Sequence, residues 1–328
     1  MAEETSEKRP VPIGRIVEIV LALALLALMI IRGIPTWQGQ GNPVAFQIGS
    51  FAVRWYGILL MVGAYAGARL GEWEAQRRGF DVEHAWNILL WGLISAVIVS
   101  RLWYVVATWH EFSGDPLRII GFEGGQFVGL QGLTIHGALF GAVLAVALYG
   151  WRKRLPFLTW LDIGAPAFVL GQAVGRWGNF YNMEAFGWPT TLPWGLMVPT
   201  AYRSSPNFDV AMWLKSLPAD VRFHPTFLYE SLFNLAVCVF LLFLARRLGD
   251  KLVPGEVFWA YGILYAVGRF FIEYIRVDSI MLGAFPAAQV VSVGLFLFCG
   301  GMLVVRRWIW IPLRAKRAGP SGGGQDGD

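Results

Sequence analysis

Long apolar runs alternate along this chain with short polar connections. A helix needs about 20 mostly apolar residues to cross a bilayer. Eight such runs recur, at roughly 14–34, 51–71, 85–108, 133–151, 160–177, 225–245, 256–275 and 287–306. The fifth is short and carries Asp162, and Pro166 should kink it; broken helices are tolerated at membrane depth where protein or a cavity surrounds them. Two connections stand apart, 109–132 and above all 178–224, both rich in Trp, Pro and Gly. A connection as long as the second is usually functional or disordered. Its Trp188, Trp194 and Trp213 predict a segment lying on one membrane face. No internal repeat is evident, which weighs against an inverted-repeat transporter.

Charge orients the runs. Lys8, Arg9 and Arg15 precede the first, Arg77 and Arg78 follow the second, and Arg152, Lys153 and Arg154 follow the fourth. Arg246, Arg247 and Lys251 follow the sixth, and Arg306, Arg307, Arg314, Lys316 and Arg317 follow the eighth. Alternate connections are therefore basic, the positive-inside pattern. The expectation is an all-α polytopic membrane protein of about eight transmembrane helices with cytoplasmic N- and C-termini. Its divisions are 1–45 (tail, extra helix and outer linker), 46–310 (transmembrane domain with outer loop 178–224) and 311–328 (basic, then Gly-rich and disordered). The first run is read as a retained helix rather than a signal peptide, because Ile16 to Ile31 is long and no small-x-small site follows.

Composition agrees with this class. The chain is 56% hydrophobic and 15% charged, against roughly a quarter charged in soluble domains. The net charge of +5 sits in the clusters just named, so no nucleic-acid partner is implied. Cys238 and Cys299 lie in apolar runs without metal-ligand or CxxC spacing and read as small buried hydrophobes. No metal site and no cofactor are expected.

Ionisable groups inside spanning runs are expensive, so each is a candidate for function. Arg54 with Tyr56, Arg101, His136, Arg176 with Asn179, His224 with Glu230, and Tyr265, Arg269, Glu273 and Arg276 all fall toward the outer ends of their runs. The last four are spaced four, four and three apart and form one polar stripe. Several arginines with few carboxylates fit an anion, and at this depth the available anion is a phospholipid headgroup. Each group also has a plainer reading. Arg269 and Glu273 can form an i,i+4 ion pair, Arg54 and Arg276 can snorkel, a lone His136 can be structural, and Asp162 reads as structural. Recurrence at one depth on five or six runs favours a shared site.

Five segments resemble the motifs of bacterial prolipoprotein diacylglyceryl transferases. They are Arg54-Trp-Tyr-Gly57, Gly132-Leu-Thr-Ile-His-Gly137, Gly175-Arg-Trp-Gly-Asn-Phe-Tyr-Asn-Met-Glu-Ala-Phe-Gly187, His224-Pro-Thr-Phe-Leu-Tyr-Glu230 and Tyr265-Ala-Val-Gly-Arg-Phe-Phe-Ile-Glu-Tyr-Ile-Arg276. Order and spacing agree from about Phe46 to Arg306. The resemblance implies a seven-helix core preceded here by an extra helix, in a bacterial cell membrane, with the site facing the outer leaflet. The implied partners are phosphatidylglycerol, the signal peptide of prolipoproteins and membrane lipids. The implied reaction moves a diacylglyceryl group to the lipobox cysteine thiol. Implied catalytic groups are His136, Arg176, Arg269 and Tyr265; implied substrate-binding groups are Arg176, Asn179, Asn182, Glu184, Tyr56, Glu273 and Arg276. The chain departs from the family pattern at Arg54, where many members have His, and at Ala138, where the usual His-Gly-Gly would place a second Gly.

Anion transport and non-catalytic lipid binding are the alternatives. A transporter should carry polar groups on to the inner face. A lipid-binding subunit would keep Arg176 and Arg269 without needing His136 or Tyr265.

Overall fold

A computed structural model describes residues 13–49, 51–127 and 134–310. Its helices are α1 (Ile13–Trp37), α2 (Trp55–Arg77), α3 (Glu83–Ala107), α4 (Ile135–Arg152), α5 (Phe157–Asn182), α6 (Phe208–Ser216), α7 (Thr226–Arg247), α8 (Glu256–Glu273) and α9 (Ala287–Val304). Each of the eight apolar runs overlaps one of them, and α6 lies in the long connection. Among the described residues α1, α3, α5, α7 and α9 carry stretches long and apolar enough to cross a membrane. The chain is thus an all-α membrane protein.

Three boundaries differ from those read in the sequence. The run from 51 begins its helix only at Trp55. Phe51–Arg54 is a strand, β2, pairing antiparallel with β1 (Val44–Ile48) from Ile48↔Phe51 to Val44↔Arg54 around a turn with Gly49 at φ +60°. Its aromatic and β-branched residues suit a ladder as well as a helix, which is why the run hid the strand. The second correction concerns α5, which is not short: it runs for 26 residues, the longest helix among the described residues. Asp162, costly in isolation, accepts from the backbone amides of Gly255 at 2.6 Å and Phe258 at 2.9 Å. It therefore caps the start of α8 from a neighbouring helix. Third, the connection after α5 starts at 183 and is ordered: besides α6 it holds β5 (Leu196–Met197) paired with β6 (Arg222–Phe223).

The chain divides into two compact units. One comprises the described residues of Met1–Leu59, Arg176–Tyr229 and Ile272–Pro286. Here the fully buried Arg203 organises the connection. Its guanidinium donates to the carbonyls of Val198 (2.9 Å), Leu214 (3.3 Å), Leu217 (2.8 Å), Pro218 (3.0 Å) and Ala219 (3.2 Å), with the Phe223 ring 5.1 Å from its centre. Burial lowers its pKa from the ordinary value, and Asp220 opposes that shift. The C-terminal part of α1 docks in the same unit. Tyr181 donates its hydroxyl to the Met29 carbonyl at 2.8 Å, Trp37 meets Phe180 at 5.7 Å, and Phe180 stacks on Phe227 at 4.7 Å.

The second unit comprises Leu60–Gly175, Glu230–Phe271 and the described residues of Ala287–Asp328. Its core joins Ala165 and Val169 of α5, Val237, Cys238 and Leu241 of α7, and Val257 of α8. Both cysteines are buried, as their apolar surroundings predict. Small residues let the helices approach: a Cβ on Gly63 or Gly67 of α2 would sit 2.8 Å from the Gly171 carbonyl oxygen or 2.7 Å from that of Ala167. Glu74, fully buried and missed in the sequence, holds Arg77 at 3.0 Å, Arg246 at 3.2 Å and Arg78 at 3.8 Å. Three arginines of two basic connections are thus clamped by one carboxylate.

Candidate active site

In the first unit, α5 ends in a sharp reversal. Met183 and Ala185 both adopt left-handed φ, 53° and 54°, a conformation that costs a non-glycine residue about 1 kcal/mol or more. The reversal carries Glu184 back over the helix end, where its backbone amide donates to the Asn179 carbonyl at 3.1 Å. Its Oε1 then accepts from Asn179 Nδ2 at 2.9 Å and from Asn182 Nδ2 at 3.2 Å. Asn182 Oδ1 is buried and accepts no hydrogen bond among the described residues. Arg176, one turn before Asn179, is half-buried. Three of the implied site residues, Asn179, Asn182 and Glu184, thus form one clasp.

Glycines account for two tight seats in this unit. Tyr56 packs on Gly178, where a Cβ would come within 2.7 Å of the ring. At Gly187 a Cβ would come within 2.8 Å of His224 Cβ, Ile275 Cγ2 and the Ile275 carbonyl. There three separate segments cross: Gly187 donates to the His224 carbonyl at 2.9 Å and Trp188 to that of Ile275 at 2.9 Å. His224 returns a bond from its amide to the Trp188 carbonyl at 3.0 Å. His224 Nδ1 lies 3.2 Å from the Tyr229 hydroxyl, which also accepts from Trp194 Nε1 at 3.0 Å. Glu273 is buried at the end of α8. Arg276, just past that end, is held by Asp278 through Nε–Oδ1 at 2.8 Å and Nη2–Oδ2 at 2.6 Å. The acid two residues on in the sequence supplies this bidentate partner. Arg54 is exposed at the end of β2.

The second unit holds the remaining candidates. Thr134 caps α4 and exchanges bonds with α3: Ser100 Oγ donates to the Thr134 carbonyl at 2.7 Å, and Thr134 Oγ1 to that of Ser100 at 3.3 Å. Gly137 fits this seat because a Cβ would lie 2.7 Å from Ser100 Cα. The close approach therefore falls at Gly137, and the half-buried Ala138 is accommodated. His136 lies in the first turn of α4; its side chain, like residues 128–133, lies outside the described residues. Tyr265 and Arg269 lie four apart on α8, each half-buried, and Gly268 beside Arg269 receives the Phe233 ring of α7. Arg101 serves the backbone: it donates from Nε to the Ile119 carbonyl at 2.9 Å and from Nη2 to that of Arg118, with Phe112 5.0 Å away. It is spent on holding the 109–127 segment. Glu230 is buried on α7.

Among the described residues no cluster of His, Cys, Asp or Glu could hold a metal ion. The first unit by itself offers guanidinium, amide and carboxylate groups, the kinds that hold anionic and hydroxyl-bearing ligands.

Comparison with known proteins gives the family of this chain. The family model described as prolipoprotein diacylglyceryl transferase matches residues 43–305. A phosphatidylglycerol–prolipoprotein diacylglyceryl transferase of Chloroflexus aggregans is 40% identical over 266 residues, 76% of this chain and 84% of the relative. One from Gloeobacter violaceus is 40% identical over 278 residues, 84% of this chain and 95% of the relative. One from Clostridium botulinum is 38% identical over 252 residues, covering 77% and 92%. The match starts at 43, after the end of α1, and spans the clasp, the Gly187 crossing and all of α8. This chain belongs to the prolipoprotein diacylglyceryl transferase family.

Proposed function

We propose that this protein transfers the diacylglyceryl group of phosphatidylglycerol to the lipobox cysteine thiol of lipoprotein precursors. The new bond is a thioether between cysteine sulfur and the glyceryl carbon. The bond broken joins that carbon to the phosphate oxygen, so glycerol phosphate leaves, and the thiol proton must be taken up. Family membership supports the reaction, and the Asn179–Glu184–Asn182 clasp is the observation that supports the place.

Arg176 and Arg269 hold the phosphate and offset the charge that develops on it as the ester bond breaks. Asn179, Asn182 and Glu184 orient the headgroup, and Asn182 Oδ1 offers an acceptor to a glycerol hydroxyl. Tyr56, Glu273 and Arg276 line the substrate, Arg276 with its direction fixed by Asp278. His136 is the general base for the thiol, its ordinary pKa lying near neutrality. Tyr265 donates a hydrogen bond to the reacting phosphate. The attacking sulfur belongs to the substrate, so Cys238 and Cys299, both buried, have no part.

Eight spans with cytoplasmic termini place these groups toward the outer leaflet of a bacterial cell membrane. The basic connections support that orientation. Lipid and signal helix enter sideways from the membrane, and the ordered segment 183–224 covers the peptide.

The test is transfer of labelled diacylglyceryl from phosphatidylglycerol to a lipobox peptide by purified protein. Label should reach the peptide and disappear with Arg176→Ala and with a Cys→Ser peptide. Lipid binding without transfer would overturn the reading.

A further inference from the structure

At the turn between α4 and α5 lies an open cavity of 790 Å³, lined by Ala147, Gly150, Trp151, Arg152, Arg154, Leu155 and Phe157. It belongs wholly to the second unit and includes none of the groups assigned to transfer. In the proposed topology it opens at the cytoplasmic end of the spans.

Three features of this turn favour an anion. First, Arg152 and Arg154, both exposed, line the cavity, and among the described residues neither meets a carboxylate. Second, the negative end of α4 is closed by the chain itself. The amides of Lys153, Arg154 and Leu155 donate to the carbonyls of Tyr149 (2.9 Å), Trp151 (3.1 Å) and Gly150 (2.9 Å). Third, α5 starts at Phe157 on the cavity wall, and the first amides of a helix have no acceptor within it. The cavity thus meets one capped helix end and one open, positive one.

Arg154 adds a sign of purpose. It occupies the left-handed C′ position at φ 53°, where glycine is the unstrained residue. A charged side chain is kept there at a backbone cost.

We propose that this cavity binds the headgroup of an anionic phospholipid from the cytoplasmic leaflet, a lipid distinct from the transfer substrate. Arg152 and Arg154 grip the phosphate. The apolar walls and the exposed Trp151 and Phe157 receive the glycerol backbone and upper acyl chains. Those walls select a lipid over soluble phosphate.

The test uses full-length protein stripped of lipid, with phosphatidic acid as probe and native mass spectrometry counting the molecules retained. Wild type should hold one more than the Arg152→Gln/Arg154→Gly variant, and that site should weaken about 30-fold. Arg154→Gly alone should weaken it about fivefold without lowering the unfolding temperature, because glycine relieves the strained turn. Excess inorganic phosphate and phosphatidylcholine should leave the extra lipid in place. Equal retention by wild type and double variant, or displacement by inorganic phosphate, would overturn the proposal. Both variants should transfer diacylglyceryl at the wild-type rate. Absence of transfer by wild type would instead count against the transferase reading and leave the lipid count intact.

Discussion

Asn179 Nδ2 lies 2.9 Å from Glu184 Oε1 across the reversal that ends α5. The backbone closes the same loop, Glu184 N reaching the Asn179 carbonyl at 3.1 Å. The carboxylate therefore sets the direction of two amide side chains. Glu184→Ala should lower kcat/KM for transfer about 100-fold, because misplacing a positioned group by about an ångström costs that much. Glu184→Gln keeps an acceptor and should fall between. Labelled-lipid kinetics check both, and a fully active Glu184→Ala would remove the clasp from the site.

Gly187 should tolerate no side chain. A methyl there would overlap His224 and Ile275 at 2.8 Å, and overpacking of this kind costs about 1–3 kcal/mol. Gly164, with nothing within 4 Å of its Cβ direction, is the contrast. Gly164→Ala in mid-helix should stabilise by about 0.5–1 kcal/mol. Thermal unfolding in one detergent compares the two.

Arg203→Ala removes the shared donor of five carbonyls, two in buried and three in part-buried bonds, and should destabilise by about 3 kcal/mol. Arg203→Lys supplies three donors in a different geometry and should recover only part of it. Limited proteolysis within 196–222 should appear in the Ala variant before global unfolding.

The hydroxyl of Tyr181 ties α1 to the helix that bears Arg176 and Asn179. Tyr181→Phe removes one hydrogen bond, about 1 kcal/mol, and keeps the stack on Trp55 at 4.7 Å. Gly33→Leu would press on Phe180 and Tyr181, each 3.6 Å from a Cβ there. Both should slow transfer about tenfold through a shifted helix end. Leu21→Ala, on the exposed face of α1, should not. Equal rates in all three would show α1 to be passive.

Hydrophobic length alone located the eight long helices among the described residues, because apolar runs of that size have few other fates. It failed where two structures share one composition, as at Phe51–Arg54, which reads equally as strand. It failed again at α5, since Asp162 looks costly until the amides of Gly255 and Phe258 are known to face it. Arg203 and Glu74 were invisible for a related reason. The partners of Arg203 are backbone carbonyls, and those of Glu74 include an arginine 172 positions away. The clasp was legible only through resemblance, because no spacing rule announces that Met183 and Ala185 will turn left-handed.

The paired stem above the Gly187 crossing has one more consequence. Pro189 bridges Phe223, and Thr190 donates to the Arg222 carbonyl at 2.8 Å, so the chain leaves and re-enters at almost the same point. Everything between is a cassette with closed ends. Doubling the length of such an excursion costs only about 0.6 kcal/mol in closure entropy. Its length could therefore grow at little cost in closure entropy while the reversal at Glu184 stays where it is.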